Sequence, residues 1–373
     1  MPHKIVYYLD SDGFGGAEQV LYTLLRGLDR SAWHPVLTYH PNPGIAPFIT
    51  SVEQLGIETL ATSQIEGYRD IKGIREFSSR LKTIRPRIFH ANINWPLSCS
   101  NGIMAAYLAR VPAIIGTQHL YEKIEPRHLR VFQFFISLLV NRYIAVSADL
   151  ANELGQSVPS YKIRVVQNGI DFERFNVEPG SETNNVYAPL REKNLPIMLT
   201  VARLAKQKGH TYLLKAAAKI PDALFVFAGD GPERKNLEKE AHELGLGERV
   251  VFLGERTDIP ELLVGCDVYV HPSIFEGGVA ISIMEAMAAG KPVIATEVEG
   301  IRKNLTGGVN AVLVPPADVE SLAKAIGGLL SNPDMAKKIA AEGKSLVYRE
   351  FSSSRMVKNV TEIYNQYLPA GRM

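Results

Sequence analysis

The stretch 7-YYLDSDGFGGAEQVLYTLL-25 decides how the chain is read. An apolar run ends at Asp10, a glycine-rich turn follows, and Val20, Leu21, Leu24, Leu25 and Leu28 then recur along one helical face. Strand, tight turn and amphipathic helix together open a parallel α/β unit. The turn itself admits three readings. A dinucleotide cradle needs G-x-G-x-x-G, but Gly13 and Gly15 are followed by Glu18 where the third glycine should stand. Asp10 and Asp12 form a carboxylate pair with no further acidic ligand beside them, so local turn or capping chemistry is expected of them rather than a divalent cation. Gly15 and Gly16 remain, at the mouth of a helix where backbone N–H groups and the helix dipole favour an anion. A plain strand-to-helix turn is the alternative, and this stretch alone does not decide between them.

Outward from that turn, short apolar runs alternate with amphipathic segments. In the first half they are KIVYYL, PVLTYH, RIFHA, AIIGTQH, RYIAVS and IRVVQN. Residues 176–196, rich in polar residues, Gly and Pro, interrupt the rhythm and read as an interdomain linker. The alternation then resumes with PIMLTVA, ALFVFAG, RVVFLG, VYVHPS, PVIAT and AVLVPP. Two doubly wound α/β domains are expected: residues 1–180, residues 181–350, and a last helical segment, 351–373, able to pack on either half. Ligands of such sheets bind beyond the carboxyl ends of the strands, which makes the space between the two domains the default site.

Composition narrows the function classes. The 41 lysines and arginines nearly balance 39 acids, leaving +2, which argues against a dedicated nucleic-acid binder. Cys99 and Cys266 stand far apart with no partner at metal-ligand spacing, as expected of a reduced, cytoplasmic protein. The chain starts into a strand-like run rather than a signal's apolar region, and no apolar stretch reaches about 18 residues, so a soluble protein is expected. Residues 71–87 carry six cations and one acid, and the apolar residues of 126–146 stand between basic ones. That pattern suits peripheral contact with anionic lipid, with a solvated helix face or a buried helix as the alternatives.

The second half carries the chemistry. In 201-VARLAKQKGHTYLLKAAAKI-220, Arg203 and Lys208 lie between a strand and a helix, where two cations suit a phosphate pair. In 271-HPSIFEGGVAISIMEAMAAGKPVIATEVEG-300, Glu276, Gly277 and Gly278 are expected to open a helix, and the amides of Gly277, Gly278 and Val279 to form a second anion site. Glu285, inside an apolar helix, needs a partner: a ribose hydroxyl or a nearby cation.

These segments, with GGAEQVLYTLLRGL, YIAVSADLANEL, KIRVVQNGIDFERF, FAGDGPERKNLEKEA and VVFLGERTDIPELLVGCDVYVHPS, resemble the retaining glycosyltransferases of family 4 over nearly the whole chain. The resemblance implies the GT-B plan, two Rossmann-like domains facing a central cleft. It implies a hexosyl transfer, in polysaccharide, glycolipid or other glycoconjugate biosynthesis, from a UDP-, GDP- or ADP-sugar to a saccharide or lipid-linked acceptor, with the acceptor on the N-terminal domain and no metal or other cofactor. It further implies that Arg203 and Lys208 hold the diphosphate with Gly15 and Gly16 beside it. Glu285 would hold the ribose, Glu276 the sugar, and Glu255 and Arg256 the turn facing the base. His119 matches the N-domain histidine that approaches the donor sugar, although a lone histidine after a strand also suits a structural role. Two departures stand out: nine positions rather than eight separate Glu276 from Glu285, and Arg302-Lys303 replace the usual Pro-Glu. A GT-B nucleotide-sugar 2-epimerase and a non-catalytic sugar-nucleotide binding module are the other functions this architecture allows.

Overall fold

The computed structural model describes residues 2–11, 13, 15–63, 65, 70–120, 124–176, 187, 190–192 and 194–368. They form two compact units: Met1–Gly169 with Ser353–Met373, and Ile170–Ser352. The first holds a parallel sheet of β1 (His3–Leu9), β2 (Trp33–Tyr39), β3 (Glu58–Ala61), β4 (Ile88–Ile93), β5 (Ala113–Gln118), β6 (Arg142–Ala145) and β7 (Ile163–Val165), in the order β3-β2-β1-β4-β5-β6-β7. The second holds β8 (Ile197–Val201), β9 (Leu224–Ala228), β10 (Val250–Gly254), β11 (Val268–His271), β12 (Val293–Thr296) and β13 (Val312–Val314), in the order β10-β9-β8-β11-β12-β13.

Burial on both faces explains the apolar runs. In the second unit Ile197, Leu199, Leu224 and Val226 join the core on one side of the sheet, while Met198, Phe225 and Phe227 join the core on the other. Strand β3 escaped the sequence reading because it is a four-residue edge strand with no buried residue. The stretch read as a linker is also more than that. Tyr187 within it is buried, donates its hydroxyl to the Leu262 carbonyl at 3.0 Å, and its ring fills the space where a side chain at Gly265 would stand. By contacts the units divide after Gly169, not after residue 180, because Ile170 and Phe175 belong to the core of the second unit. Residues 177–186, 188, 189 and 193 of that stretch lie outside the described residues.

Helix Ser353–Asn365 belongs to the first unit. Its Tyr364 meets Tyr7 hydroxyl to hydroxyl at 3.1 Å, bonds His90 Nδ1 at 2.5 Å, and packs edge-on against Trp33. On one face of the first unit lie α3 (Ile71–Ile84), α4 (Ser100–Leu108) and α5 (Arg127–Leu139), each packed on the next. Lys162 holds the end of α5, donating its ammonium to the Ser137, Leu138 and Val140 carbonyls at 3.0, 3.1 and 2.8 Å, where the helix dipole favours a cation. Among the described residues no helix is long and apolar enough to cross a membrane.

Candidate active site

In the second unit the chain leaves β8 for β9 and β10, then returns to β11 on the other side of β8. The carboxyl ends of β8 and β11 therefore flank the switch point where such sheets bind ligands. Arg203 stands on the loop after β8, exposed, and its guanidinium has no hydrogen bond or ion pair with a described residue. Lys208 ends the 3-10 turn Lys206–Lys208, and Glu276 lies on the loop after β11. Gly209 lets the two loops close on each other: its φ is +65°, and a Cβ there would lie 2.0 Å from the Pro272 carbonyl oxygen. From the other side a Cβ at Gly300 would lie 2.4 Å from the Glu276 carbonyl oxygen and 2.5 Å from the Gly278 nitrogen.

The result is a tightly bound carboxylate. Glu276 Oε1 receives Lys208 Nζ at 2.5 Å and Ser273 Oγ at 2.7 Å, and lies 2.8 Å from His271 Nε2. Its Oε2 has no partner among the described residues and stays available to a ligand hydroxyl. Burial would push the Glu276 carboxyl up, but the Lys208 ammonium and the bond to His271 override it and hold the group down at about 2. His271 is pushed down by its own burial, against the pull of Glu276. Behind it, the Tyr269 hydroxyl lies 3.3 Å from His271 Nδ1 and donates to Ser282 Oγ at 2.7 Å.

Glu285 is 7 % exposed and pairs with Arg174, which is in the 3-10 turn Phe172–Phe175, at 3.6 Å. Burial pushes its carboxyl up to about 7, with Arg174 pulling the other way. The helix carrying it runs from Ile281 to Ala288 with Ala280 as its N-cap. Gly277, Gly278 and Val279 thus precede the helix instead of opening it, which corrects the expected start of that helix. Two adjacent glycines resist helix formation, and the Glu276 side chain is tied back to Lys208 and Ser273.

The other expected site residues are placed as follows. Glu255 is exposed after β10, and Arg256 forks onto Asp258 through bonds of 2.8 and 2.5 Å. Arg302 and Lys303 are exposed, with Lys303 bonded to Glu299 at 3.3 Å. In the first unit His119 follows β5; its backbone N–H donates to Ile93 O at 2.9 Å and its Nε2 lies 2.8 Å from Asn92 Oδ1. Burial pushes the imidazole down to about 4, so it is neutral at physiological pH. Gly15 caps α1 (Gly16–Gly27), but its N–H donates to Glu18 Oε2 at 2.9 Å. The anion expected at that turn is thus supplied by the chain's own Glu18, which also accepts from Ser11 Oγ and from Asn94 Nδ2. Asp10 is not local turn chemistry: its carboxylate accepts the Cys99 N–H at 2.5 Å and so joins β1 to the start of α4. Asp12 lies outside the described residues. Among the described residues no group of His, Cys, Asp and Glu could hold a metal ion.

Residues 14–174 match the family described as Glycosyltransferase Family 4, and residues 183–346 match Glycosyl transferases group 1. The chain belongs to glycosyltransferase family 4. An uncharacterized glycosyltransferase of Methanocaldococcus jannaschii is 32 % identical to this family 4 chain over 230 residues, 59 % of each. The match thus spans less than two thirds of that relative's length. The UDP-Gal:alpha-D-GlcNAc-diphosphoundecaprenol alpha-1,3-galactosyltransferase of Escherichia coli is 26 % identical over 338 residues, 85 % of this chain and 84 % of that one. Among solved structures, HepE of Anabaena with UDP and glucose superposes with a TM-score of 0.85 at 23 % identity, covering 97 % of this chain and 99 % of that one. The fold is GT-B.

Within this family 4 chain, sequence reasoning missed His271, Tyr269, Ser273 and Arg174. The first two carried a usable signal: residues 269 and 271 of a strand point to the same face, so a Tyr and a His in VYVHPS stand side by side. Arg174 carried none, because its contact with Glu285 spans more than a hundred positions of chain.

Proposed function

We propose that the chain is a retaining hexosyltransferase that uses a nucleotide diphosphate sugar and builds a polysaccharide, glycolipid or other glycoconjugate. Arg203, exposed and without a partner among the described residues, on the same loop as the Lys208 that pairs with Glu276 at the switch point of the second unit, carries this reading. In the reaction the bond from the anomeric carbon to the diphosphate oxygen breaks. The acceptor oxygen forms the new bond on the same face, and its proton passes to the departing phosphate. Arg203 and Lys208 meet the charge that develops on the leaving group, and Glu285 accepts from ribose hydroxyls. Glu276, anchored through Oε1, offers Oε2 to the sugar. Charge stabilisation by side chains requires no metal.

A UDP-hexose is the first donor to test, because the HepE structure holds UDP and the Escherichia coli enzyme is named for a UDP-Gal donor. Incubation with UDP-, GDP- and ADP-hexoses and a panel of saccharide acceptors should release nucleotide diphosphate and a retained glycoside, equally well in EDTA. Activity lost in EDTA and restored by manganese would overturn the metal-independent reading; donor isomerised without any acceptor would mark an epimerase.

Contact with a membrane completes the reading. Val131, Phe134, Phe135 and Leu138 of α5 are exposed, Phe135 by 59 %, and so are Tyr107 and Leu108 of α4. Lys72, Arg75, Arg80 and Lys82 of α3, with Arg127 and Arg130 of α5, are the exposed cations. Such a surface suits anionic lipid and a lipid-linked acceptor. Phe134→Ser with Phe135→Ser should release the protein from vesicles rich in phosphatidylglycerol while leaving transfer to a soluble acceptor intact. Undiminished vesicle binding by that variant would refute the contact.

A further inference from the structure

The first unit has its own switch point, between β1 and β4. The strands end there at Leu9 and Ile93, and the loops beyond are closed by bonds from Asn94 Nδ2 to Ser11 Oγ at 2.7 Å and to Glu18 Oε1 at 2.9 Å. Two features of this crevice have no internal explanation. The Asn94 Oδ1 atom is buried and has no hydrogen-bond partner among the described residues. The neighbouring Trp95 is 49 % exposed, although its backbone is pinned: its N–H donates to Ser98 Oγ at 3.1 Å and its carbonyl accepts from Ser98 N at 3.0 Å. Of the two tryptophans in the chain the other, Trp33, is 1 % exposed in the core. An exposed indole on a pinned backbone, next in the chain to an unsatisfied amide oxygen, offers contacts to a ligand with one apolar face and hydroxyl donors at its edge.

Charge decides between ligand classes. Among the described residues, the carboxyls of Asp10 and Glu18 are bonded into these loops, and none of the side chains bonded to them is a lysine or arginine. Carboxylates there would repel a phosphate but not a neutral pyranose. His119 is close in the same fold, since its backbone N–H bonds the carbonyl of Ile93, two residues before Trp95.

We propose that the loop after β4 is a subsite for a neutral hexose ring of the acceptor, with Trp95 stacking on its C–H face and Asn94 Oδ1 accepting from a hydroxyl. The proposal rests on the reading of the chain as a hexosyltransferase and narrows its acceptor from a bare lipid to a saccharide.

The test uses the full chain, with the methyl glycosides of glucose, galactose and N-acetylglucosamine as probes and octanol as the apolar control. At least one glycoside should shift the tryptophan emission saturably in the wild type and not in Trp95→Phe, whose remaining signal comes from Trp33. With that glycoside as acceptor, Trp95→Ala should raise its KM at least tenfold and leave kcat and donor hydrolysis little changed, and Trp95→Tyr should restore most of the loss. Silence from every glycoside, an equal shift from octanol, or a KM within twofold of wild type in Trp95→Ala would overturn the subsite. Failure of the wild type to consume any donor would instead count against the transferase reading, and the emission titration still reports on the subsite in that case.

Discussion

Arg203→Ala combined with Lys208→Ala lowers turnover at least a hundredfold with a matched donor and acceptor. Each preorganised donor aimed at developing charge is worth roughly 2.7–4 kcal/mol, so loss of two leaves a wide margin over that figure. The two residues differ in what else they hold. Arg203 has no partner among the described residues, and its removal should weaken only the hold on diphosphate. Lys208 also anchors Glu276, so Lys208→Ala frees a buried carboxylate and the two losses do not add. Acid unfolding gives an independent check. The folded Glu276 carboxyl, at about 2, lies below its ordinary 4.5, so its contribution is full above about 4.5 and is lost as pH falls towards 2. Lys208→Ala should therefore unfold at a higher pH than the wild type, while Arg203→Ala should not. Near-normal turnover in the double variant would remove the basis for the site.

Glu285→Gln should have opposite effects on stability and binding. The folded carboxyl lies at about 7, above its ordinary 4.5, so the native chain retains a proton there that the unfolded chain gives up. Stability from this group is therefore greatest below about 4.5, declines as pH rises to about 7, and is flat above. At pH 8 the cost is on the order of 3 kcal/mol, and the glutamine variant should recover much of it and lose the pH slope. Arg174 loses its partner in the exchange but keeps water, at 29 % exposure of its side chain. Nucleotide affinity should fall about 10- to 100-fold, the worth of a hydrogen bond to a charged group. Urea unfolding at pH 5 and pH 8, with calorimetric titration of UDP, measures both effects. A variant less stable at pH 8 that binds UDP normally would show that Glu285 serves the fold instead of the ribose.

What the sequence revealed follows from what burial imposes on it. All six strands of the second unit could be read because each carries an apolar run, part-buried even in the edge strands β10 and β13, whereas β3 buries no residue and carries none. The gathering of Lys208 and Glu276 could be read from cations and carboxylates placed at strand ends. The start of the helix at Ile281 could not, because Glu276 is held by partners that its own neighbourhood does not announce. At Gly15 the glycine turn before the helix does favour an anion, and Glu18, three residues on, provides one to its N–H, a partner that the turn alone did not announce. Arg174 and Asp10 depend on contacts across the fold, and nothing in their local spacing marks them.

Tyr364 sits among Tyr7, His90 and Trp33, although the chain synthesises those three at the beginning and Tyr364 close to the last described residue. A ribosome that has made only the first 169 residues has therefore released a sheet with an open slot at its centre. The Ile170–Ser352 half carries all of its own residues in one continuous run and can mature first. Assembly of the earlier half must then wait for the later one, and a tail truncated before residue 364 would leave the oldest part of the chain unfinished.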